Sequence, residues 1–181
     1  MSGLLLLASL AWAQATEPVF ADVSDTPVPS AIEVAVLLRD RPVDASQARR
    51  LLAFTEGFPT HRSLPEVWYA IGRFHQEQGD LFKASHAYDR ASNALDHPIW
   101  PRASVELAAC RYEMGHYEDA LALLKEVVRR SHGTLEDAVL HELARRWLVV
   151  SPTDEAEGYF RARGRADLSE WVRANGRKGP G

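Results

Sequence analysis

Histidine, glutamate and cysteine do most acid–base, metal and nucleophilic chemistry, so their spacing in this chain is the first thing to weigh. His141-Glu142-Leu143-Ala144-Arg145 begins like the H-E-x-x-H helix that grips zinc through two histidines one turn apart. Arg145 stands where the second ligand belongs, and a cation there opposes a metal ion. Glu113 and His116 have the i, i+3 spacing of di-iron bundles, but that chemistry needs a second such pair and two further carboxylates. The sequence supplies neither, and the pair straddles a turn at Gly115. Cys110 is the only cysteine, so no disulfide can form within the chain. It sits beside Ala109 in a helical pattern and reads as a small buried hydrophobe. There is no G-x-S-x-G elbow, no glycine loop to cradle phosphate, and no cysteine beside an evident base. The expectation is therefore no enzyme, no catalytic or metal residues and no cofactor. The alternative is an enzyme or enzyme accessory domain whose His, Glu and Arg residues converge from distant segments.

The elements that would carry any site follow from a repeat. Alanine recurs at Ala48, Ala84, Ala120 and Ala156, each 36 residues from the last. Leu52, Tyr88, Leu124 and Phe160 follow four residues later. Ala35, Ile71, Leu107 and Leu143 precede by thirteen, and Val36, Gly72, Ala108 and Ala144 by twelve. Small residues align with small and large apolar ones with large, as in stacked helical repeats. Capping boxes are expected at Asp44 with Gln47, Ser63 with Glu66, and Thr134 with Asp137. Ser151-Pro152 opens another helix, and Gly79 and Gly115 end helices by adopting a left-handed backbone. Helices are predicted near 30–39, 45–57, 65–78, 81–94, 101–114, 117–131, 135–149 and 153–163. A ninth is predicted near 168–174, boxed by Asp167 and Glu170, with Leu168, Trp171 and Val172 on its inner side. No segment shows the period-two pattern of a half-buried strand.

Two central blocks carry a family resemblance. In Leu64–Asp96, Trp68, Ile71, Gly72, Gly79, Ala84, Tyr88 and Ala91 resemble the signature positions of the tetratricopeptide repeat; in Pro101–Arg130, Leu107, Ala108, Gly115, Tyr117, Ala120 and Leu124 do so. Ser104 replaces the early tryptophan of the second block, and His75 stands where an aromatic is usual. The flanking blocks keep the alanine and apolar columns but lose both glycines. The resemblance implies an all-α chain of helix-turn-helix units in a right-handed superhelix, an α-solenoid, closed by a C-terminal capping helix. It also implies a concave groove lined by the first helix of each pair. Groove positions map onto Glu33 and Leu37; Glu66, Tyr69, Arg73 and Gln76; Arg102, Val105, Ala109 and Tyr112; and His141, Arg145 and Leu148. Tyrosine and arginine dominate binding hot spots because they join contact area to hydrogen bonding. Tyr69, Arg73, Arg102, Tyr112 and Arg145 are thus the candidate partner-binding residues. Some family members grip a terminal carboxylate with paired cationic and amide side chains. The matching positions here hold Tyr69, Arg73, Glu106, Ala138 and Glu142, which departs from that clamp.

The ends suggest where such a protein would work. Residues 1–15 hold an apolar run from Leu4 to Ala13 and an Ala13-Gln14-Ala15 pattern, the form of a secretory signal peptide lacking its usual leading cation. A buried first helix is the alternative. Residues 16–28 read as an extended linker, 29–175 as the repeat domain and 176–181 as a flexible basic tail. Net charge is −4, which argues against a general nucleic-acid binder. The second half is nevertheless basic, with Arg129-Arg130, Arg145-Arg146 and five arginines plus one lysine after residue 160. The expectation is a periplasmic or secreted adaptor or scaffold of the cell envelope, with no membrane span after signal cleavage. Its groove would bind a protein or peptide, an acidic one by the charge argument. A self-assembling homo-oligomeric array is the other structural reading.

Overall fold

The computed structural model describes residue 20 and residues 22–39, 43–130, 134–150 and 153–176, excluding the side chains of 134–136 and 149–150. Among these residues all regular structure is helical. The helices are α1 (Ala31–Arg39), α2 (Ala45–Gly57), α3 (Leu64–Glu77), α4 (Leu81–Ser92), α5 (Trp100–Glu113), α6 (Tyr117–Arg130), α7 (Thr134–Val150), α8 (Thr153–Ala162) and α9 (Ala166–Gly176). Neighbours in sequence pack as neighbours in space, most extensively along α3 to α6.

The hairpins are set by glycine. Gly79 and Gly115 have φ of 76° and 86°, a region that costs an L-residue energy but is open to glycine. Around Gly79 the Asp80 N–H donates to the His75 carbonyl at 2.9 Å and the Gly79 N–H to that of Gln76 at 3.0 Å. Around Gly115 the His116 and Gly115 N–H groups donate to Arg111 and Tyr112 at 2.8 and 3.0 Å. These paired bonds are the Schellman motif that closes a helix. A third copy, absent from the periodic columns, lies at Gly164, with φ of 73° and Arg165 N–H donating to the Phe160 carbonyl at 2.9 Å. It folds α8 back on α9, and Gly176 at the end of α9 abuts Thr153 at the start of α8. Accordingly α8 packs chiefly on α9, whereas α7 packs on α6 and α9 and only thinly on α8.

Local signals elsewhere divide. Asp44 and Gln47 form the reciprocal box, with bonds of 2.8 and 2.9 Å. Ser63 makes no side-chain cap bond; α3 and α5 instead start with Pro65 and Pro101 in their first turns. Ser30 and Glu33 form a further box at α1, bonded at 2.8 and 3.3 Å. Asp167 lies inside the first turn of α9 and binds Arg165 at 2.8 Å, so the expected Asp167–Glu170 box is replaced. Trp171 turns partly outward while Leu168 and Val172 are buried. The expected signal at 1–15, the Ser151-Pro152 start, the Thr134 cap side chain and residues 177–181 of the tail lie outside the described residues.

The alanine column is buried throughout, from 0% exposure at Ala84, Ala120 and Ala156 to 3% at Ala48. A methyl group lets two helix axes approach where a longer side chain would hold them apart. Ile71, Leu107 and Leu143 are likewise buried, but Ala35 and Val36 face out, and Val34 and Leu37 fill their places. The core forms one cluster from Val23 through α5 and a second from α5 through α9, with Leu123 packed against both. Phe20 of the N-terminal arm stacks near Trp68 and His75, with centroids at 5.5 and 5.6 Å.

Gly72 packs directly against a core ring. A β-carbon there would stand 2.7 Å from ring carbons of Tyr88, which is fully buried and cannot retreat. Gly72→Ala and Ala120→Leu should each lower unfolding free energy by about 1–3 kcal/mol through overpacking. Ala35→Gln, in the same periodic array but exposed, should change it by less than about 0.5 kcal/mol. Urea unfolding of the three variants checks this; equal midpoints would refute the packing register.

Candidate functional site

Helices α3, α5 and α7 border an open cavity of about 340 Å³ lined by Tyr69, Arg102, Val105, Glu106, Ala138 and Val139. Two of the sequence-predicted residues, Tyr69 and Arg102, thus face one space. Val105 and Val139 give it an apolar surface. Arg102 is exposed and makes no ion pair among the described residues. Arg145 lies on the face of α7 that carries Ala138, two turns further along, exposed and likewise outside the ion pairs seen there.

The other candidates are engaged elsewhere. Arg73 pairs with Glu77 at 2.9 Å. Tyr112 lies under the Arg146 guanidinium at 4.4 Å and against Tyr117 at 4.9 Å. Arg146 in turn binds Glu142 at 2.5 Å. Glu33 caps α1 and binds Arg50 at 2.7 Å, and Leu37 is buried, so neither presents itself to a groove.

Glu106 is the residue that sequence reasoning passed over, noted only as lacking a positive charge. It is half-buried, and one carboxylate oxygen accepts from Gln76 Nε2 at 3.3 Å. Gln76 is oriented from behind, because the Tyr88 hydroxyl donates to its Oε1 at 2.5 Å. Burial, with the Glu106 charge next in weight, pushes the Tyr88 phenol far above its ordinary range. Tyr88 therefore stays a donor, which obliges the Gln76 amide to turn its N–H toward Glu106. No local motif could reveal this relay, since it joins α3, α4 and α5.

Cys110 is fully buried and its thiol is pushed up to about 12, first by burial and then by Glu113 and Glu106. Burial of this kind disfavours the reactive thiolate. His141 is exposed and Glu142 is paired with Arg146. Gly115 breaks the helix between Glu113 and His116. No group of three potential metal ligands occurs among the described residues. Much of the basic excess of the second half is paired internally. Glu126 holds Arg129 and Arg130, Glu157 holds Arg161 and Arg173, and Asp137 and Asp167 hold Arg165. No described helix is long and apolar enough to cross a membrane.

No family model matches the chain, and neither the curated proteins nor the solved structures contain a match.

Two outcomes follow from this chemistry. Tyr88→Phe keeps the ring against Gly72 but removes the bond to Gln76, and should cost about 0.5–1.5 kcal/mol in urea unfolding. His75 is half-buried against Phe20 and Phe74, and its Nε2 has no hydrogen-bond partner. Burial lowers its pKa, against an opposing pull from Asp80 and with a further push from Lys83. The folded chain thus prefers neutral His75, and the unfolded chain binds the proton first. Its contribution is complete above pH 6.5 and declines as pH falls from there toward the lowered folded value. Glu126 and Asp167, held at about 2 by hydrogen bonds from their arginines, lose theirs only at much lower pH. Melting curves between pH 7.5 and 5 should therefore slope downward with acid, and His75→Phe should flatten that slope.

Proposed function

We propose that the chain is a tetratricopeptide-like adaptor or scaffold that binds a protein or peptide in a concave groove formed by α3, α5 and α7. In this reading the helix pairs follow a right-handed superhelix. Residues 1–15 direct the protein to the envelope and are removed there. The observation that carries the reading is the shared cavity of the three first helices, where apolar Val105 and Val139 lie beside Arg102 and Glu106. Ligand sites combine an apolar wall with a few convergent polar groups in this way. The repeat supports it too, since stacked units build an extended surface while each touches only its neighbours.

Site-specific photo-crosslinking in the native cell tests the proposal. A crosslinking residue placed at Arg102 or Arg145 should give a discrete adduct with a second protein, and one placed at Phe82, exposed on α4, should not. Adducts from Phe82 alone would move the binding surface to the second helices. Adducts with a second copy of this chain would favour the self-assembling array. N-terminal sequencing of the same material should begin at Thr16; an intact Met1–Ala15 segment would count against export.

A further inference from the structure

We propose that the α3–α5–α7 cavity receives the amino-terminal residue of a partner chain, with its free α-ammonium group on Glu106. The inference rests on the groove reading above and names what the groove's central cavity recognises. Glu106 carries it. This carboxylate is partly withdrawn from water, forms no ion pair among the described residues, and keeps a single 3.3 Å bond to Gln76. A carboxylate beside apolar cavity walls has acceptor capacity to spare, and a ligand that brings an ammonium group supplies a charge-assisted hydrogen bond to it.

Arg102 sharpens the assignment. It lies one helical turn before Glu106, at the spacing where side chains on a helix can meet, yet the two do not pair. The cavity thus presents one negative and one positive group about 5–6 Å apart at their β-carbons, beside Val105 and Val139. An amino-terminal residue has the complementary pattern: ammonium, apolar side chain, and a carbonyl oxygen separated from the ammonium by only two carbons. The ammonium binds Glu106, the carbonyl accepts from Arg102, and the side chain covers the two valines. An internal acidic segment would satisfy Arg102 but repel Glu106. A lysine side chain would satisfy Glu106 while its backbone carbonyl lay four methylenes further off. The Tyr88–Gln76 relay completes the device, because it fixes the amide that holds Glu106 in place. The cavity volume, about 340 Å³, is at the small end of the roughly 300–1,000 Å³ typical of ligand sites.

The test uses the full chain and defined probes, followed by amide NMR shifts. Leucyl-glycine should bind saturably, with shifts confined to α3, α5 and α7. N-acetyl-leucyl-glycine should bind about tenfold more weakly or not at all, the loss expected for one charge-assisted hydrogen bond. Glu106→Gln should weaken leucyl-glycine by a similar factor, and Arg102→Gln by less. Equal binding of the acetylated and free dipeptides overturns the proposal but leaves the groove reading standing. Tighter binding of free leucine than of leucyl-glycine overturns it in favour of a free amino acid. Equal binding of Nα-acetyl-lysinamide overturns it in favour of an internal lysine. If no probe binds, the proposal fails, and crosslinking from Arg102 decides the groove reading separately.

Discussion

The contact between the Tyr88 ring and the bare backbone of Gly72 is the constraint on which the rest of this molecule depends. Any side chain at residue 72 would meet the ring at 2.7 Å. With glycine there, α4 lies close enough to α3 for Tyr88 to be wholly buried and for its hydroxyl to reach Gln76. The same approach that closes the first well-formed helix pair therefore also sets the polar groups behind the cavity. Packing and polar contact meet in one side chain: its ring belongs to the core, and its hydroxyl holds the Gln76 amide that bonds the cavity carboxylate.

Ion pairing also changes how the charges of this chain present themselves. Most arginines of the second half are neutralised by carboxylates on their own or adjacent helices. Exposed pairs of this kind add little to stability, typically about 0–1 kcal/mol each. Their consequence is to cancel the basic field that the sequence suggests. Among the described residues Arg102, Glu106 and Arg145 are left outside this pairing; Arg102 and Glu106 line the cavity, and Arg145 lies on the face of α7 that carries Ala138.

Much of the fold was legible in the sequence because its signals are local. Gly79, Gly115, Pro65, Pro101 and the Asp44–Gln47 box each act within a few residues, and the helix bounds fall within about two residues of those predicted from them. What failed was extrapolation of the period to the ends. Gly164 makes the same turn as Gly115 but lies off the 36-residue register, so α8 and α9 were expected while the glycine turn that joins them was not. Ala35 keeps the register yet is exposed, and Val34 and Leu37 turn inward instead. The site divides the same way. Tyr69 and Arg102 were reached through groove positions that the repeat resemblance implies, whereas Glu106 gains its character from Gln76 and Tyr88 on two other helices.

The central claim is that core packing sets the recognition chemistry, and a double-mutant cycle between Tyr88→Phe and Glu106→Gln tests it most directly. Read on leucyl-glycine binding, the two losses should not add. Once Glu106 has lost its charge, removing the hydroxyl that positions its neighbour should have little further effect, giving a coupling of about 0.5–3 kcal/mol. Strict additivity, with Tyr88→Phe costing the same in both backgrounds, would show that the buried tyrosine and the cavity carboxylate act independently and would contradict the account.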